Sequence, residues 1–246
     1  MSLTTTNGLI IKEQKVGEAD RLVTVLTEDL GLVRAFVPGA LKIKSRNLSA
    51  TTLLSYSELT FYQSRDTYKI NEARSKEIFF GLRDDIVSLS LASYFCELLM
   101  NLAPVFEPAE NYLKLTLNCL YLLCEKKRSP EILKSIFEIK ILEYSGYCPD
   151  LSCCAKCKND KFESVGFDIV NGVIACENCM NDKFISIPGS VFAALSHIIY
   201  ADEKKLFSFK LNKESEKILS DITERYLLSQ TDKNYKTLDF YKQMRI

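Results

Sequence analysis

Histidine is almost absent from this chain: His197 is the only one in 246 residues. It sits in apolar text at 194–200 with no acid at catalytic spacing, so it reads as a tolerated core or surface residue, not a general base. A zinc deaminase needs an H-x-E ahead of a C-x-x-C, and no H-x-E occurs. A Walker A motif, a GxGxxG turn and a G-x-S-x-G elbow are missing too. The expectation is a protein that works by binding and is not an enzyme. No apolar run approaches the roughly eighteen residues that cross a bilayer, and no basic-then-apolar leader opens the chain. Both absences point to a cytoplasmic protein with no membrane partner.

Net charge is lacking as well, with 32 cationic and 32 acidic residues. A nucleic-acid binder is therefore not announced by overall charge, and distribution is more informative. Residues 34–69 carry six cations (Arg34, Lys42, Lys44, Arg46, Arg65 and Lys69) against Glu58 and Asp66. Residues 204–246 carry ten cations against six acids. A neutral protein can thus present basic faces.

The first eighty residues read as β structure. Runs at 8–14, 21–27, 32–38, 53–63 and 68–73 are short and rich in β-branched or aromatic residues, with turn text at 16–20, 28–31 and 64–66. Five short strands without a long helix between them predict a small barrel, most economically a five-stranded OB barrel, because closure removes exposed sheet edges. Beyond about Gly81 the period becomes helical at 82–102 and 108–126. Ser129-Pro130 is a helix start and Gly146 a stop. Further helices are predicted at 188–200 and 213–230, the latter with Ile218, Ile222 and Tyr226 on one face. The fold class is α+β: a barrel domain at 1–80, then a helical domain at 81–246 with a cysteine module at about 147–184.

Nine cysteines are present. Four form two knuckles, Cys154-Ala-Lys-Cys157 and Cys176-Glu-Asn-Cys179, with eighteen residues between them. This spacing suits a four-cysteine zinc site, in which each tight turn aims two sulfurs at one ion about 2.3 Å away. With four protein ligands the ion is structural and has no open position for water activation. A redox or iron–sulfur role and a metal-free module are the alternatives, and Cys153 competes with Cys154 as a C-x3-C ligand. Cys96, Cys119, Cys124 and Cys148 read as small buried hydrophobes in a reducing compartment.

The candidate binding surface is on the barrel. Leu32, Arg34 and Phe36 share one face of the third strand, and Val33, Ala35 and Val37 the other. Arg34 and Phe36 therefore pair phosphate attraction with a stacking ring, and the next loop adds Lys42, Lys44 and Arg46. The competing reading places Phe36 in the core and leaves the lysines as solubilising groups. In the fourth strand Tyr56, Glu58, Thr60 and Tyr62 alternate with Ser57, Leu59 and Phe61, and one set must fill the barrel. Glu18 and Asp20 flank a turn beside Gly17, where turn stabilisation and a bond to Arg21 are expected. The C-terminal cations, on 213–225 and a tail at 233–245, read as a solvated face that can add a phosphate contact.

Gly17-Glu18-Ala19-Asp20-Arg21, Leu26-Thr27 with Gly31, Pro38-Gly39-Ala40 with Lys44-Ser45, and Glu72-Ala73 resemble the barrel signature of RecO, the bacterial recombination-mediator family of DNA repair. Gly146-x-x-Pro149-x-Leu151-x-x-Cys154-x-x-Cys157 and Phe167, Gly172, Cys176-x-x-Cys179 are similar to its zinc pattern, which selects Cys154 over Cys153. Lys158 stands where many relatives have glycine, and Asn171 where a second glycine is common. The resemblance implies binding of single- and double-stranded DNA and annealing of complementary strands. It further implies contact with SSB, and loading of RecA onto SSB-coated DNA together with RecR, in a cytoplasmic protein that joins the nucleoid during repair. From the residues alone, a zinc-containing OB-fold RNA-binding or ribosome-associated protein is the alternative, and a protein-only scaffold is a third.

Overall fold

The computed structural model describes residues 2–64, 67–161 and 164–245. The chain forms two compact units, Met1–Lys127 with Thr237–Ile246, and Arg128–Lys236. The division falls after the second long helix, so the barrel shares its unit with two helices and the C-terminal segment.

In the first unit, β1 (Ser2–Val16), β2 (Asp20–Thr27), β3 (Gly31–Val37), β4 (Ser55–Ser64) and β5 (Thr67–Ile78) close a barrel in the order β1-β2-β3-β5-β4. Only the β3–β5 pairing is parallel. This is the five-stranded OB-type arrangement predicted above. The alternating text explains it: Val23, Val25, Val33, Ala35, Val37, Leu59, Phe61 and Ile70 point inward into one buried cluster. β1 starts six residues earlier than expected, because Leu3–Thr6 pairs with β4. It turns the barrel's corner at a bulge between Ile10 and Lys12. β5 runs on to Ile78 through charged text that pairs with β4 but faces water. Arg65 and Asp66 of the expected turn at 64–66 lie outside the described residues.

The first helix, α1 (Ile86–Leu102), begins four residues later than its apolar text suggests. Asp85 caps it, accepting from the Val87 amide (3.2 Å) and the Ser88 hydroxyl (2.5 Å). The Ser88 bond holds the Asp85 carboxyl below its ordinary value, against the opposing effect of partial burial. After α2 (Glu110–Cys124) the chain leaves this unit, and it returns as a further helix, α6 (Lys236–Met244). The tail read at 233–245 is therefore largely helical, with Leu238 and Tyr241 buried and Thr237 bonded through its amide to Glu97 Oε2 (3.0 Å).

The second unit contains α3 (Pro130–Tyr144), α4 (Gly189–Tyr200) and α5 (Lys213–Thr231). α3 starts as its sequence signals require: Ser129 Oγ accepts from the Ile132 amide (3.3 Å) and proline follows. Gly146 ends it at φ +87°. Every residue from Ile132 to Leu142 is buried, Lys134 and Glu138 included. Lys134 Nζ pairs with Glu138 (2.9 Å) and Glu224 (3.1 Å) and donates to the Ser220 carbonyl (3.0 Å). Desolvation raises the Glu138 carboxyl above its ordinary value, outweighing the pull of Lys134 and the Thr223 hydroxyl. On α5 the expected face is shifted: Ile222 and Tyr226 are buried with Leu219, whereas Ile218 is only half-buried.

A four-stranded sheet that the sequence did not suggest frames the cysteines. Its strands are β6 (Asp150–Cys154), β7 (Val165–Asp168), β8 (Val173–Cys176) and β9 (Ile185–Ile187), in the order β6-β8-β7-β9. Among the described residues, no helix is long and apolar enough to cross a membrane.

Candidate metal centre and nucleic-acid interface

The two knuckles sit at the ends of adjacent strands. Cys154 closes β6 and Cys157 lies in the turn after it, while Cys176 closes β8 and Cys179 ends the single 3₁₀ turn that follows. The strands run parallel side by side, which brings both turns to the same sheet end. All four Sγ atoms lie within 4.8 Å of one another, and those of Cys157 and Cys176 are 3.6 Å apart. Four sulfurs at about 2.3 Å from one tetrahedral ion stand about 3.8 Å apart, so the geometry fits. The donor chemistry fits too: four soft sulfur ligands leave no position for water. Cys153 is half-buried outside this group, and the backbone rather than chance spacing has selected Cys154.

Electrostatics prepare the first ligand. Amides of Cys157, and then Cys176 and Lys156, aim at the Cys154 sulfur and lower its thiol to about 6, against the effect of burial. Cys179 is instead pushed up to about 12 by hydrogen bonds with the neighbouring sulfurs of Cys176 and Cys157. A cation at the centre removes that mutual hindrance, since metal binding deprotonates its thiols. Among the described residues Ala175, Met180 and Phe184 pack against the cysteines.

Lys158, the departure noted after the first knuckle, sits at φ +62° with its amide donating to the Cys154 carbonyl (2.9 Å). The turn demands a left-handed residue there, which is why glycine suits the position. Asn171 carries no such strain; its side-chain amide donates to Asp168 Oδ2 (2.7 Å). Of the remaining cysteines, Cys96 and Cys119 are buried as expected, and burial alone pushes the Cys96 thiol up to about 12. Cys124 is half-buried and Cys148 is exposed, which corrects the reading of both as core residues; Cys148 lies in the open turn between α3 and β6.

On the barrel, β3 presents its faces as predicted. Val33, Ala35 and Val37 are fully buried, while Arg34 is exposed and Phe36 half-buried on the outside. Register extends this face sideways. Lys12, Thr24 and Arg34 form one cross-strand row over β1, β2 and β3, and Gln14, Leu22 and Phe36 form the next. Lys69 stands beside Phe36 on β5. On β4, Leu59 and Phe61 fill the barrel and Tyr56 and Tyr62 lie on the outer side.

The loop between β3 and β4 carries Lys42, Lys44 and Arg46, all exposed. Ala40, Ala50 and Thr51 of the same loop are buried, so its base plugs the barrel while its cations project. Arg21 holds it: the guanidinium, almost fully buried, donates to the Leu48 carbonyl (3.1 Å) and to Thr51 Oγ1 (3.0 Å). Its ion pair is with Glu13 (3.4 Å) and not with Glu18 or Asp20, correcting the expected turn bond. Asp20 instead accepts from the Gly39 amide (2.7 Å), and Asn47 Oδ1 accepts from the Ala73 amide (3.1 Å). Among the described residues no carboxylate forms an ion pair with Lys12, Arg34, Lys42, Lys44 or Arg46. Sequence reasoning missed Lys12, which only strand register brings beside Arg34, and the positioning role of Arg21. His197 is occupied as expected of a bystander, with Nε2 2.9 Å from the Lys205 carbonyl and its ring edge-on to Phe209.

Residues 1–79 match the family model described as Recombination protein O N terminal, and residues 83–239 match Recombination protein O C terminal. The chain is 33% identical over 246 residues to the DNA repair protein RecO of Acetivibrio thermocellus, covering 99% of this chain and 98% of the relative. It is 30% identical over 242 residues to the DNA repair protein RecO of Caldicellulosiruptor bescii, covering 98% and 99%.

Proposed function

This chain belongs to the RecO family of DNA repair proteins, and we propose that it works within DNA repair as a binding protein and not as an enzyme. In this reading Arg34, Phe36, Lys42, Lys44 and Arg46 hold single- and double-stranded DNA. Two complementary strands held on cations anneal because the protein screens their mutual repulsion. By its family resemblance the protein contacts SSB and acts with RecR to load RecA, in the cytoplasm and at the nucleoid. The four cysteines hold one zinc ion that braces the second unit and takes no part in chemistry.

The observation that carries the proposal is the state of the basic loop. Among the described residues its cations form no ion pair with a carboxylate, and the loop is held in one place by Arg21, Asp20 and Asn47. A solubilising loop has no need of a buried guanidinium to position it. The test is the triple variant Lys42→Ala, Lys44→Ala, Arg46→Ala, titrated against an oligodeoxynucleotide across salt concentrations. Each lost phosphate contact removes about 0.7 from the slope of log affinity against log salt on a single strand, so three remove about 2. Melting is expected to hold within about 0.5 kcal/mol, as for exposed substitutions. Unchanged affinity and slope in the folded variant would overturn the reading. A marked preference for the matching oligoribonucleotide would move the function to RNA.

A further inference from the structure

Beside the Lys12–Thr24–Arg34 row the barrel's outer side closes into a recess of about 400 Å³, walled by Met100, Val105 and Phe106 near the junction of α1 and α2. That volume falls in the lower part of the roughly 300–1,000 Å³ range of ligand pockets. The wall is built in place. The Leu32 amide donates to the Pro104 carbonyl (2.8 Å), the Ala109 amide to the Glu28 carbonyl (2.9 Å), and Gly31 forms a bridge with Val105. The contact is close enough that a Cβ on Gly31 would lie 2.3 Å from the Pro104 oxygen.

Phe106 occupies a conformation that an aromatic residue rarely adopts, φ +61°. Burial does not explain it, because the side chain is 64% exposed. One face of its ring stacks near Tyr68, with centroids 6.1 Å apart and planes 26° from parallel. The ring is thus fixed from behind and open in front, next to two cations without ion-pair partners among the described residues. Backbone strain of this kind collects at ligand sites, where the surroundings hold a group ready for contact.

We propose that the recess is a base slot: one base of a single-stranded nucleic acid stacks on the open side of Phe106 while Lys12 and Arg34 hold the flanking phosphates. The chemistry matches single-strand platforms, which join a cationic track to aromatic rings. Arg34 also continues along β3 through Phe36 toward the basic loop, so the slot lies on the same track. The assignment rests on the nucleic-acid reading of this face given above.

The test compares an oligothymidylate with an oligomer of equal length and charge built of abasic residues, at one salt concentration. Stacking on one ring is expected to favour the base-bearing strand by roughly five- to a hundred-fold. Phe106→Gly removes the ring and relieves the left-handed backbone. It should lower that preference by such a factor, with salt slope and melting temperature retained, and Phe106→Tyr should preserve the preference. Base preference unchanged in Phe106→Gly would overturn the slot while leaving the nucleic-acid reading standing, and so would a loss confined to binding of a protein partner. Failure of the wild-type protein to bind either oligomer at low salt would overturn both.

Discussion

The barrel's basic loop and the cysteine module face the same task, holding turn-rich chain still, and they do it with different chemistry. The loop is anchored by directional hydrogen bonds from Arg21, Asp20 and Asn47 and by Ala40 and Ala50 in a large barrel core. The module has four short strands, with Ala175, Met180 and Phe184 among the described residues packed around its sulfurs. On the zinc reading proposed above, a metal ion adds to the burial of Leu151, Val165, Phe167 and Ile174 in ordering the turns. Cations can therefore stand on the loop as a free surface, whereas the module gathers four cysteine sulfurs into one cluster.

Substitution at the metal centre should separate the two regions most sharply. On the zinc reading, Cys154→Ser is expected to abolish metal binding and, because structural zinc contributes on the order of 10 kcal/mol of apparent folding free energy, to unfold the cysteine module. Metal analysis and hydrogen exchange provide the readout, with protection lost at 147–184 and kept in the barrel strands. Normal metal content and melting in this variant would remove the contrast altogether. Next in size is Arg21→Ala, which strands the Leu48 carbonyl, Thr51 and Glu13 and should cost about 3 kcal/mol. Denaturant unfolding measures that loss, and the variant should also weaken DNA binding although Arg21 itself is buried. Retained affinity would mean that the loop does not need its anchor. The smallest effect is expected at Lys158→Gly, where relief of the left-handed backbone should add about 1 kcal/mol to the stability of the module. A fall in its thermal midpoint would show that the Lys158 side chain matters more than its φ.

Much of the barrel was readable because its strands alternate, as at Val33, Ala35 and Val37 against Arg34 and Phe36. α3 was readable from its ends, Ser129-Pro130 and Gly146, although its middle is buried on every side. The sheet around the cysteines escaped notice since strands of three to five residues carry too few positions for a period to show. α6 was hidden by its charges, with only Leu238 and Tyr241 turned inward. Nothing local marks Lys134 for burial; its partner Glu224 lies on another helix, and only folding brings the two together.

The order of residues was sufficient for the knuckles, the caps and the inward strand positions, because each depends on neighbours a few places away whose geometry the backbone enforces. Tertiary structure decided which acid binds Arg21 and which aromatic ring stands open beside Arg34. Those choices join residues distant in the chain, and they depend on strand register and helix docking that no short stretch of sequence encodes.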